Sequence, residues 1–181
     1  PESPAPVGAA DTPGDATGVV GVGDYASVAD GPSGLQVIDV SIPTSPEIVG
    51  MADTPDASPD VAVVDNYAFV ADGGSGLQVI DVSVPESPEI VSSVDLEWAV
   101  GVAVDGGYAY VADRGQGLQV IDVSVPESPE VVASPNAPDE AMSVAVIGDY
   151  AYVTDVWYRT VYKRMPKWPR FQVRLPSFRC R

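Results

Sequence analysis

Apolar residues come in short runs separated by turn residues, and the runs recur in the same order along most of the chain. One run in each unit, LQVIDV, is apolar on both sides. In the copy at 117–124, strand alternation puts Leu118 and Val120 on one face and Ile121 and Val123 on the other. A strand of that kind has to be covered on both faces, and stacking sheets face to face does so. The run before it, YAYVAD, carries the small residues Ala109 and Ala112, which let neighbouring sheets approach closely.

The recurrence has a fixed period. GLQVIDVS is written at 34–41, 76–83 and 117–124, and Tyr25, Tyr67, Tyr108 and Tyr150 fall 42, 41 and 42 residues apart, as do Asp30, Asp72, Asp113 and Asp155. Periods of about 40 residues mark propellers, solenoids or arrays. Punctuation divides the third copy into four strands, predicted at 102–104, 108–112, 118–123 and 130–133. Its first turn is Gly106-Gly107, matched elsewhere by Gly23-Asp24, Asp65-Asn66 and Gly148-Asp149, pairs that suit two-residue hairpins needing positive φ. The second turn is the Gly-containing 114–117, and the third is the Pro-broken SVPESP. The expectation is an all-β chain: β-propeller blades of four antiparallel strands, about four blade equivalents, in an incomplete, open propeller. PESPAPVGAADTP at the start aligns with PTSPEIVGMADTP at 43–55, so 1–16 reads as a partial blade and the chain as a piece of a longer array. Repeats begin near 17, 59, 101 and 143.

The segments YASVADGPSGLQVIDVSIPTSPEIV (25–49), YAFVADGGSGLQVIDVSVPESPEIV (67–91) and YAYVADRGQGLQVIDVSVPESPEVV (108–132) resemble the LVIVD-repeat proteins. The resemblance spans nearly all of 1–155. It implies a propeller of about six to eight blades, a setting in secreted or cell-surface proteins, and no catalytic residues. The chain departs from that pattern after YAYVTD at 150–155, where VWYRTVYKRMPKWPRFQVRLPSFRCR replaces the next GLQVIDVS. Residues 156–181 therefore read as a basic non-repeat tail, foreign to the array or disordered. A second reading takes the alternating stretches 158–163 and 171–175 as improvised third and fourth strands, and a third has the cationic tail dock on the acidic body or another anionic partner.

Charge is divided as sharply as sequence. All 26 acidic residues lie between Glu2 and Asp155, and eight of the nine basic residues follow, so Arg114 alone opposes the carboxylates of the body. A surface of that sign repels phosphate backbones and anionic membranes, which argues against nucleic acid as a partner. Self-repulsion should weaken the fold at low salt. No apolar run is long enough to span a bilayer, and the first residues lack the features of a signal peptide. One cysteine, Cys180, excludes an intrachain disulfide.

The absence of histidine excludes Ser-His-Asp and Cys-His catalysis and imidazole zinc sites. Carboxylate pairs remain, but a glycosidase pair needs unequal environments, whereas the Asp30, Asp72, Asp113 and Asp155 series repeats in near-identical surroundings. Such residues suit turn anchors that accept backbone N–H bonds, as do Asp39, Asp81 and Asp122. The functional alternative is an acidic loop face comprising Asp30, Asp53, Asp56, Asp60, Asp72, Asp95, Glu97, Trp98, Asp113, Asp139, Glu140 and Asp155. No calcium-loop register is present, so the loops suggest weak cation binding, calcium included, and no dedicated cofactor. The functional expectation is a non-catalytic scaffold for protein or glycan interaction that self-associates through exposed blade edges. The alternative is a fragment of a carboxylate-based carbohydrate-active enzyme whose catalytic blade lies elsewhere.

Overall fold

The computed structural model describes residues 3–135 and 140–155, together with the backbone of 159–163 and 172–174. Strands pair into four separate four-stranded antiparallel sheets, each in plain sequence order. The first holds β1 (Gly18–Val22), β2 (Tyr25–Ala29), β3 (Leu35–Asp39) and β4 (Glu47–Ala52). The second holds β5 (Asp60–Val64), β6 (Tyr67–Ala71), β7 (Leu77–Asp81) and β8 (Glu89–Val94). The third holds β9 (Ala99–Asp105), β10 (Tyr108–Asp113), β11 (Gly117–Asp122) and β12 (Glu130–Ala133). In the fourth, β13 (Ala141–Ile147) and β14 (Tyr150–Asp155) are followed by β15 (Arg159–Lys163) and β16 (Gln172–Arg174). The two stretches of the basic tail with alternating character thus supply the third and fourth strands of the last sheet. The rest of the tail lies outside the described residues, as does Asp139.

First strands lie against first strands: β1 on β5, β5 on β9, β9 on β13. The sheets therefore radiate from a common axis as propeller blades, in an arc whose two ends do not meet. Each junction has its own core. Leu35 and Val37 meet Val61, Ala68, Val70 and Ile80 at the first, and Phe69, Leu77 and Val79 meet Val102, Ala109, Val111 and Ile121 at the second. Tyr110, Leu118 and Val120 meet Val144, Ala151 and Val153 at the third. Leu118 and Val120 thus face one neighbouring blade and Ile121 and Val123 the other, as the double apolar face of LQVIDV requires. Ala109 and Ala112, both fully buried, likewise lie at opposite junctions.

One irregularity of register repeats in the first three blades. Pairing of the third strand with the fourth shifts between Val37 and Ile38, between Val79 and Ile80, and between Val120 and Ile121. The third strand ends one residue before the predicted 123, because the Val123 N–H leaves the ladder and donates to the Gly107 carbonyl at 2.9 Å. Asp39, Asp81 and Asp122 close this strand by accepting the N–H of Ser41, Ser83 and Ser124 at 2.8, 2.8 and 2.9 Å. These are Asx turns, in which a side-chain oxygen takes the place of a backbone acceptor. The hydroxyl and then the N–H of Ser41 hold the Asp39 carboxyl below its usual value, and the N–H and then the hydroxyl of Ser83 do the same for Asp81.

Candidate interaction face

The hairpin between the second and third strands and the loop entering each blade lie at the same end of the arc. An aspartate joins them. Asp30 accepts the Thr12 hydroxyl at 2.6 Å and the Gly14 N–H at 2.8 Å. Asp72 accepts the Ser58 hydroxyl at 3.0 Å and the Asp56 N–H at 3.2 Å. Asp113 accepts the N–H of Glu97 at 2.9 Å, Gly115 at 2.7 Å and Gln116 at 2.9 Å. All three are fully buried, and a buried carboxylate has to be matched by donors in this way. They point inward, so what they contribute to the end face is the shape of its loops. Asp155 closes β14 at the equivalent position and is half-buried.

The residue after each aspartate grips the next blade. Gly31 and Ser58 exchange two backbone hydrogen bonds at 3.3 and 3.0 Å, and Gly73 and Ala99 exchange two at 3.1 and 2.9 Å. At the third junction the Glu140 N–H donates to the Arg114 carbonyl at 2.7 Å, while the Arg114 N–H donates to the Trp98 carbonyl at 2.9 Å. The end face is thereby one hydrogen-bonded strip running from blade to blade.

Outside this strip stand the other carboxylates of the loop end. Asp53, Asp95, Glu97 and Glu140 are exposed. Asp56 is half-buried: its Oδ2 accepts the Gly74 N–H and its Oδ1 the Ala57 N–H, both at 2.8 Å. Trp98 keeps 46% of its surface in solvent, and its ring lies over Gly74, where an added Cβ would stand 3.6 Å from two ring carbons and 3.2 Å from Asp56 Oδ2. The carboxylate of Asp56 and the indole of Trp98 therefore converge on one glycine from two different loops. The Glu97 side chain lies over Gly115 in the same manner. Among the described residues no group of three or more acidic or cysteine side chains is placed to hold a metal ion.

Asp60 sits apart from these, in the strand nearest the axis. Its Oδ2 accepts the Val102 N–H of the next blade at 3.0 Å and its Oδ1 the N–H of Val61 at 3.0 Å. Burial pushes its carboxyl above the usual value, against the lowering effect of these two bonds. A raised value in the fold means that the favourable contribution is present below the unfolded value of 3.8 and is lost as pH rises through the folded one. In Asp60→Asn that loss disappears. The melting temperature of the variant, relative to the parent, should rise as pH is taken from roughly 4 to 7, a comparison made by thermal melts across that range.

Three features of this region have little warning in the sequence. Gln36, Gln78 and Gln119 are polar yet buried, each donating its Nε2–H to the carbonyl three residues earlier, at 2.7, 2.8 and 3.0 Å. Ser58 is fully buried and also shares a hydrogen bond with the Thr54 hydroxyl at 2.7 Å. Thr17 reaches across a junction to donate to the Pro59 carbonyl at 2.9 Å. Only the glutamine carried a signal, its recurrence at one position in all three copies.

The LVIVD repeat matches four consecutive stretches of the chain, 13–54, 56–96, 98–136 and 138–159. No curated protein matches it by sequence. Among solved structures, the computationally designed Ika4 protein superposes with a TM-score of 0.73 at 8% identity, over 91% of this chain and 100% of that one. The designed Ika8 protein gives 0.67 at 8% identity, over 82% of this chain and 45% of that one. The β-propeller domain of Myceliophteria thermophila Cps50 (Swd1) gives 0.69 at 11% identity, over 90% and 57%. The chain thus spans about half the length of the last two, and at these identities the likeness is one of fold.

Proposed function

The chain belongs to the LVIVD repeat family, and from that premise we propose that it is a non-catalytic propeller scaffold whose acidic loop end binds a protein partner through a basic segment. The observation that carries this reading is the convergence of Trp98 and Asp56 on Gly74, with Asp53, Asp95 and Glu97 exposed on the loops around them. An exposed indole face attracts Lys and Arg head groups through its quadrupole, and the surrounding carboxylates add long-range attraction. The same indole could stack on a sugar ring, but the excess of negative charge favours a cation. The buried aspartates serve the scaffold, and the exposed carboxylates with Trp98 serve recognition.

The test is titration of an oligo-lysine peptide and, separately, of neutral oligosaccharides into the 181-residue chain and its Trp98→Ala variant. The variant leaves the charge unchanged, so non-specific attraction is held constant. We expect peptide binding that weakens with salt and falls about fivefold in Trp98→Ala, in line with a cation over an indole. Equal peptide affinity in both proteins overturns the reading, and oligosaccharide binding lost in the variant replaces the basic segment with a glycan.

A further inference from the structure

Equivalent positions at the two ends of the arc are not equally covered. Val61, Val102 and Val144 occupy one position on the face that each blade turns to the blade before it, and they are 6%, 6% and 8% exposed. Val19, at the same position in the first blade, is 71% exposed. On the opposite face Phe69 and Tyr110 are 3% and 1% exposed, whereas Tyr152, their equivalent in the last described blade, is 40% exposed. Because every junction joins the same two faces, the part of the fourth sheet formed by β13 and β14 suits the uncovered face of the first sheet, whereas β15 brings Arg159 to the register position held by Leu35, Leu77 and Leu118 in the other blades.

The N-terminal stretch supplies a second, independent observation. Residues 3–11, SPAPVGAAD, align without a gap with 45–53, SPEIVGMAD, and share six of the nine residues, and the latter contain β4. A Cβ on Gly8 would stand 2.2 Å from the Pro43 carbonyl oxygen, just as one on Gly50 would stand 2.1 Å from that of Pro85. The stretch therefore already lies on the first blade where the outermost strand of a preceding blade belongs. It has no sheet of its own: 3–12 form no strand, and Val7 is 69% exposed. At the other end, β15 is paired on its outer side by β16 over three residues, where β4 and β8 run for six.

We infer that two copies of this chain join head to tail, the fourth sheet of one packing on the first sheet of the other. The N-terminal stretch of the second copy pairs with β15 of the first in place of the shorter β16. Addition of a strand to a sheet edge supplies main-chain hydrogen bonds, and the facing apolar surfaces supply burial. Charge favours the same occupant, since β15 and the residues after it carry eight of the nine basic residues and the first blade carries only acidic ones. The stoichiometry is taken from the Ika8 likeness, in which 82% of this chain matches 45% of that one and leaves room for one more arc of its size. A head-to-tail contact that closes in this way gives a finite dimer rather than a filament. The inference is independent of the loop-face reading.

Sedimentation of the 181-residue chain over a range of concentrations, in about 0.15 M salt, should show the monomer of 18.8 kDa passing to twice that mass. Val19→Asp and, separately, Val7→Pro should each raise the dissociation constant at least about tenfold. Both positions are exposed in the single chain, so its circular dichroism should not change. A monomer at all concentrations, a dimer indifferent to both substitutions, or growth into open polymers would each overturn the inference.

Discussion

Replacing Asp113 by alanine is expected to lower stability by about 3–5 kcal/mol, because three backbone N–H groups lose a charged acceptor at once. Two of them, Gly115 and Gln116, shape the hairpin between β10 and β11, and the third, Glu97, belongs to the loop arriving from the second blade. Asp113→Asn separates the two roles. Its amide oxygen can keep both hairpin bonds, which share Oδ1, but its NH2 would then face the Glu97 N–H, so a loss of about 2 kcal/mol is expected. Urea titrations measure both, and an unchanged slope would confirm that the shift in midpoint is one of stability. A loss below about 1 kcal/mol for the alanine variant would show that water replaces the carboxylate.

Gly76→Ala should be as damaging for a different reason. Gly76 has φ of +75°, and a Cβ there would stand 2.1 Å from the Val94 carbonyl oxygen and 2.7 Å from the Leu96 nitrogen. Neither neighbour is a side chain that can swing away. The left-handed conformation alone costs about 1–2 kcal/mol for an L-residue, and the contact with the backbone should bring the total to about 4 kcal/mol. Gly34 has the same φ sign and a Cβ position 2.3 Å from the Ala52 carbonyl, so Gly34→Ala should match it. Gly21→Ala, with nothing within 4 Å, serves as a control expected within about 0.5 kcal/mol of the parent. Thermal or urea melts of the three variants decide the matter.

The leading glycine of GLQVIDVS shows why the architecture was legible. Its recurrence, the alternation after it and the aspartate that ends it each have one physical reading, and all three agree with a sheet packed on both faces. The fourth strand of the third blade is predicted at 130–133 and found there, because proline turns fix its start. The loop end was less legible. That Trp98 and Asp56 meet over Gly74 depends on how two loops from successive blades fold onto one hairpin, and no spacing in the sequence carries that. Asp60 and the Asp30 series look alike as acidic residues near the blade entries, yet Asp30, Asp72 and Asp113 are wholly buried and Asp60 bridges two first strands. Residue type placed them at one end of the arc; direction came only from tertiary contacts. The tail shows the converse, since its loss of the repeat concealed two stretches whose alternation still matched sheet pairing.

The near-identity of the third strands has a cost during folding. Leu35–Asp39 and Leu77–Asp81 have the same sequence, LQVID, the same register to their neighbours and the same bulge. A hairpin displaced by one whole repeat would find an equally good partner, which is how tandem arrays become misassembled. What tells one address from another is the wording of the entry loops, since Asp30 takes the Thr12 hydroxyl, Asp72 the Ser58 hydroxyl and Asp113 three N–H groups. Evolution that reshaped these loops for a new partner would therefore also be editing the code by which the chain finds its own order.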